Sequence, residues 1–119
     1  MTFRTRTALF ALALAAGLIP AALRAAAPAA PANHSYTGVV GDDMCGAKHS
    51  MGGSPAACTR MCVKGGANYD LIIGQKFYTL ATKDKQLLAT LNKLAGKRAV
   101  VNGTLAGATL TVSTVTAAK

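Results

Sequence analysis

DKQLLATLNKLAGKRAVVNGTLAGATLTVSTV, residues 84–115, changes its hydrophobic period part-way along, and that change decides the fold. Leu87, Leu88, Leu91 and Leu94 recur at i, i+1, i+4 and i+7, one apolar stripe on a helix over residues 84–95. Thr82 is placed to cap this helix at its N-terminus and Gly96 to end it. Beyond Gly96 the period falls to two. Residues 98–105 and 109–115 are rich in Val and Thr and flank Ala106, Gly107 and Ala108, which predicts a β-hairpin. Upstream, residues 67–73 (ANYDLII) and 76–81 (KFYTLA) are two more β-rich runs. Only Gly74 and Gln75 separate them, and a two-residue connection beginning with Gly suits a type II′ turn. Residues 35–40 (SYTGVV) read as a first strand.

The predicted order is strand, insertion, strand, strand, helix, strand, strand. Five short strands in an open sheet of this size leave a face and two edges uncovered, whereas curling buries one face and protects the edges. The expected fold is therefore mainly β: a small five-stranded OB-like barrel with one capping helix and a short helical, Cys-containing insertion after the first strand. The alternative is an α+β sandwich with an open sheet.

The chain opens MTFRTR, two bases and no acid, and continues with the apolar run TALFALALAAGLIPAAL, residues 7–23. A charged start and an apolar stretch too short to span a bilayer are the pattern of a secretory signal peptide. Residues 1–25 are assigned to it, with cleavage between 25 and 32 and no transmembrane span in the mature protein. Residues 26–34 form a flexible Pro/Ala lead-in holding a solvated His34, and residues 35–116 form a single domain. The whole chain carries a net charge of +9; without Arg4, Arg6 and Arg24, ten bases remain against four acids, a net +6. The bases are scattered, which reads as a solvated surface.

The insertion, residues 42–66, is DDMCGAKHSMGGSPAACTRMCVKGG and holds all three cysteines and one of the two histidines. Ser54 followed by Pro55 starts a helix and Gly65-Gly66 stops it, so residues 56–64 should be helical. Cys58 and Cys62 then share one face with Cβ atoms about 5–6 Å apart, too far for a disulfide, which wants about 3.5–4.5 Å. Each can instead reach Cys45. Asp42 and Asp43 most simply make a turn or cap ahead of Met44.

Three readings of this loop follow. In an oxidising compartment Cys45 pairs with Cys58 or Cys62, a cross-link over about 15 residues being worth roughly 3 kcal/mol, and one thiol is left over. Alternatively Cys45, His49, Cys58 and Cys62 form a Cys3His metal site suited to zinc, or to copper, given Met44, Met51 and Met61 among the thiols. The third is thiol redox chemistry, with Cys58 near Arg60 and Lys64 and toward the helix N-terminus. That reading is weakened by the absence of a Cys-x-x-Cys motif.

The pattern GVVGDDMCGAKHSMGG (38–53), CTRMCVKGGANYDLIIGQKFYTL (58–80) and LAGKRAVVNGTL (94–105) resembles an uncharacterised family of small exported bacterial proteins with a domain of unknown function. The resemblance implies an OB-fold-like barrel with a Cys/His insertion and an exported location, periplasmic or secreted. It implies no activity. Residue types exclude more than they assign: four acids and two histidines assemble no catalytic triad, phosphate loop or carboxylate pair. Scarce aromatics and export argue against nucleic acid as a partner. The leading expectation is a non-enzymatic cell-envelope binding module for an unknown partner or small ligand, its insertion held by a disulfide involving Cys45. Metal binding and thiol redox chemistry are the alternatives.

Overall fold

The computed structural model describes residues 29, 31–46, 48 and 53–119. The expected signal peptide lies outside the described residues, as do residues 26–28 and 30 of the lead-in and His49 of the insertion. Among the described residues no helix is long and apolar enough to cross a membrane.

The fold is mainly β, one five-stranded sheet with two helices. The elements are β1 (His34–Asp42), α1 (Pro55–Lys64), β2 (Tyr69–Ile73), β3 (Lys76–Ala81), α2 (Lys85–Leu94), β4 (Arg98–Ala106) and β5 (Thr109–Ala117). The strand order β1-β2-β3-β5-β4 closes on itself, because β1 pairs antiparallel with both β2 and β4. One register covers residues 39–42 of β1 and the other covers residues 34–39. Closure is completed by a short parallel pairing of β3 with β5, Thr79 to Thr109 through Ala81 to Thr111. This seam joins strands far apart in sequence, and no local pattern announces it.

Both hairpin turns follow from glycine. Gly74 (φ +61°) and Gly107 (φ +62°) take the left-handed region, and the residues that follow do not, as a II′-type turn requires. Inward-facing residues alternate along the strands: Val40, Leu71, Leu80, Ala99, Val101, Leu110, Val112 and Val115 form the core, with Leu91 of α2 buried among them. Of the predicted helical stripe, Leu87, Leu91 and Leu94 face the core, whereas Leu88 is exposed. An i, i+1 pair spreads 100° around a helix, so the two neighbours cannot both point inward.

Several boundaries differ from the expectation by one or two residues; β4 runs on to Ala106 and β5 to Ala117. β1 begins at His34, paired with Gly103, so His34 is exposed but belongs to a strand. The same strand runs on to Asp42, two residues past its expected end. β2 begins at Tyr69 and not at Ala67, because Asn68 is taken up by Asp43. The N-cap of α2 is Asp84 and not Thr82: Asp84 Oδ1 accepts from Gln86 N (2.7 Å) and Leu87 N (3.3 Å). Thr82 Oγ1 accepts from Asp84 N at 3.1 Å, holding the cap one step further out.

Helix α1 lies across the turn that joins α2 to β4. Arg60 of α1 donates from Nε to the carbonyl of Asn92 (2.8 Å) and from Nη2 to that of Lys93 (3.4 Å), at the last turn of α2. The turn is tied to β1 by Gly96 N to Val40 O (2.7 Å) and Val40 N to Lys97 O (3.0 Å). The insertion is thus tied to α2 and, through this turn, to β1.

Candidate metal centre

The loop that carries the cysteines is closed at its neck by Asp43 and Asn68. Asn68 donates from its backbone N (3.0 Å) and its Nδ2 (2.8 Å) to the Asp43 carboxylate, and Asp43 N donates to Asn68 O (3.1 Å). Three bonds across this pair bring the end of β1 and the start of β2 together, so the chain between them must return on itself.

Cys45 is placed by Asp42. The Asp42 Oδ1 accepts from Met44 N (3.1 Å) and Cys45 N (2.8 Å), an Asx-type turn, and Gly46 N donates to Asp42 O (3.1 Å). Gly46 takes φ +55°, and Phe77 packs so closely that a methyl there would lie 3.3 Å from its Cε1. The turn expected at Asp42-Asp43 is therefore present, and each aspartate has a separate task.

Cys58 and Cys62 are placed by α1. Ser54 Oγ accepts from Ala57 N at 3.2 Å, Pro55 opens the first turn, and the Gly65 N–H returns to Met61 O, the start and stop that the sequence predicts. The buried face of α1 consists of Cys58, Thr59 and Cys62.

The three sulfurs converge. The Sγ atoms of Cys45, Cys58 and Cys62 all lie within 4.8 Å of one another. Cys45 Sγ and Cys62 Sγ share a hydrogen bond at 3.2 Å, against about 2.05 Å for a covalent S–S bond. Tetrahedral ligands on metal–sulfur bonds of about 2.3 Å stand about 3.8 Å apart, so the cluster has the dimensions of a single-ion site. Met44 (70% exposed) and Met61 (60% exposed) flank these thiols in sequence but project into solvent.

The Cys62 thiol is pushed up to about 12, first by its hydrogen bond with Cys45, then by burial and by the Asp42 carboxylate. Such a thiol holds its proton and is a weak nucleophile, which gives the redox reading no support. Arg60, which the sequence offers as a thiolate stabiliser, is instead spent on the α2 carbonyls. Two polar atoms beside the cluster, Asp42 Oδ2 and Thr59 Oγ1, are buried without a hydrogen-bond partner. Asp42 is the residue whose role sequence reading understated. Its position between a β-rich run and Cys45 signals a turn, and nothing local signals burial.

Three of the four residues assigned to a metal site, Cys45, Cys58 and Cys62, are brought together, and His49 lies outside the described residues. No protein-family model matches this chain, and comparison with curated proteins and with solved structures found no match.

Proposed function

We propose that this is an exported metal-binding protein in which Cys45, Cys58 and Cys62 hold one soft ion, Zn²⁺ or Cu⁺, on an OB-like barrel. The observation that carries this reading is the mutual approach of all three sulfurs to within 4.8 Å. A structural disulfide needs two sulfurs and gives the third no part in the cross-link. A metal ion accounts for all three, since thiolate is its preferred soft ligand. His49, on the same loop as Cys45, is the fourth ligand in this reading. The OB-like assignment is supported by the strand order β1-β2-β3-β5-β4 and by a helix between β3 and β4. Export rests on the charged and apolar pattern of residues 1–25.

A second reading is favoured by one specific distance. Cys45 and Cys62 are 3.2 Å apart, so a small movement under oxidation would join them, leaving a cell-envelope binding module pinned by a disulfide. The two readings separate on thiol count. Protein from its native compartment is alkylated in denaturant with chelator and weighed intact, while a native sample goes to elemental analysis. The metal reading expects all three cysteines alkylated and about one zinc or copper per chain. A single alkylated cysteine with no metal overturns it in favour of the disulfide.

A further inference from the structure

Asp42 ends β1 beneath the cysteine cluster, and its two carboxylate oxygens have different surroundings. Oδ1 accepts from Met44 N and Cys45 N and so turns the chain that presents Cys45 to Cys62. Oδ2 is buried and has no hydrogen-bond partner, on a side chain that is 0% exposed. A carboxylate oxygen shut away from water with no donor is costly, and such atoms are ordinarily paired. Arg60, between the two helix cysteines in sequence, is committed to the Asn92 and Lys93 carbonyls. Through Oδ1 the carboxylate sits 2.8 Å from the backbone N of Cys45, one of the three proposed ligands.

We infer that Asp42 is a positioning residue of the metal site that biases it toward a divalent ion over a monovalent one. This rests on the metal-binding reading above. With Cys45, Cys58 and Cys62 as thiolates, the Asp42 carboxylate brings a fourth negative charge to a buried site. A monovalent ion offsets one of those charges and a divalent ion offsets two. The Asp42 carboxylate attracts the ion in proportion to the ion's charge, so removing it weakens divalent binding by the square of the factor by which it weakens monovalent binding. For a charge a few ångströms from the ion in a partly buried site, that factor is roughly ten to a hundred. Asp42 therefore acts at two levels: Oδ1 sets where Cys45 stands, and the net charge sets which ion is preferred.

The test is the ratio of two affinities. Asp42→Asn keeps an Oδ1 acceptor for the Met44 and Cys45 amides and removes the charge. Zn²⁺ and Cu⁺ affinities of the mature chain and of the variant are measured anaerobically at one pH by competition with chromophoric chelators. The protons each ion displaces are counted in the same titrations, so a change in thiol acidity is separated from a change in ion preference. The expected result is a fall of about tenfold or more in the Zn²⁺-to-Cu⁺ affinity ratio. A purely structural role would weaken both ions alike, and an unchanged ratio overturns the inference. Asp84→Asn is the control: Asp84 is exposed, caps α2 outside the cysteine loop, and Asn caps a helix as well, so the ratio should move by less than about threefold, and an equal shift overturns the inference. Should Asp42→Asn fail to fold, Asp42→Ser, which keeps an oxygen acceptor in a smaller side chain, must give the same change in ratio. If the wild-type chain binds neither ion, the metal-binding reading itself has failed. If it binds both and the ratio stays fixed, only the role of Asp42 has.

Discussion

Gly96 faces Ala56 backbone to backbone: a methyl group on Gly96 would stand 2.6 Å from Ala56 N and 3.0 Å from its Cα. Helix α1, which carries two of the three cysteines, is seated directly on the α2–β4 turn, with no side chain between. Gly96 also takes φ +74°, a conformation that side chains strain. Gly96→Ala combines that strain with a steric overlap against rigid backbone and should cost about 2–4 kcal/mol in urea unfolding. It should also weaken metal binding, because α1 must lift. A loss below about 0.5 kcal/mol would show that α1 is not held there.

Cys58 separates the metal reading from the disulfide reading. A Cys45–Cys62 bond does not involve it, so under that reading Cys58→Ser is tolerated. A three-thiolate site loses a ligand, and Zn²⁺ affinity should fall by about 100-fold or more, as it should for Cys45→Ser and Cys62→Ser. Titration of the three variants against a zinc indicator gives the answer directly. Equal affinity of Cys58→Ser and wild type would remove Cys58 from the site.

Metal removal should loosen the fold. An ion that binds only the folded chain adds about 2.7 kcal/mol of stability at a hundred times its dissociation constant. Chelator should therefore lower the thermal midpoint of reduced, zinc-loaded protein and leave that of an oxidised, disulfide-bonded sample unchanged. His49→Ala should shrink the gain on adding zinc without altering the apo midpoint. A full gain in His49→Ala would exclude His49 as the fourth ligand.

Asp70 supplies a pH signature away from the thiols. It is buried on β2, and its carboxyl is raised above the usual range by desolvation, with Asp43 and Asp42 adding to the rise and a hydrogen bond from Thr79 opposing it. For a carboxyl raised in the folded state, the stabilising contribution is present below the unfolded value of 3.8 and is lost as pH rises through the folded value. Asp70→Asn should therefore raise the thermal midpoint at about pH 7 and change it little at about pH 3. The opposite order would mean that the ionised form is the one the fold prefers.

Arg60 ties α1 to the end of α2 through two carbonyls. The site is exposed, so Arg60→Ala should cost about 1 kcal/mol in denaturant unfolding. Arg60→Lys should recover only part of this, because a single ammonium cannot span both acceptors as the guanidinium fork does. Full recovery by Lys would indicate that charge at the helix end, and not the fork, is what matters.

The features legible in the sequence are those set by neighbours a few residues apart. The helix of residues 84–95, the turn at Gly74-Gln75, the Ser54-Pro55 start and Gly65-Gly66 stop of α1, and the shared face of Cys58 and Cys62 all follow from period and cap chemistry. The errors at this level are of one residue or two and have local causes. Thr82 and Asp84 both offer a capping oxygen, and the longer-reaching carboxylate takes the helix amides while the hydroxyl takes the amide before them. Leu88 lies one position off a stripe that Leu87 already fills.

What the sequence determined by itself is the order of the elements, the start and stop of α1, the stop of α2, and the presence of one loop rich in sulfur. Tertiary structure alone decided that β3 closes against β5, that Asp43 meets Asn68 across the neck of the loop, and that Cys45 meets Cys62. The physical reason is range. Caps and periodicity are energies between near neighbours and can be read along the chain, whereas convergence of the sulfurs depends on the β1–β2 register that sets where the loop begins and ends. The same pairing carries Asp42 out of solvent at the end of β1, turning a common turn-former into a buried carboxyl group hydrogen-bonded to the backbone of Cys45.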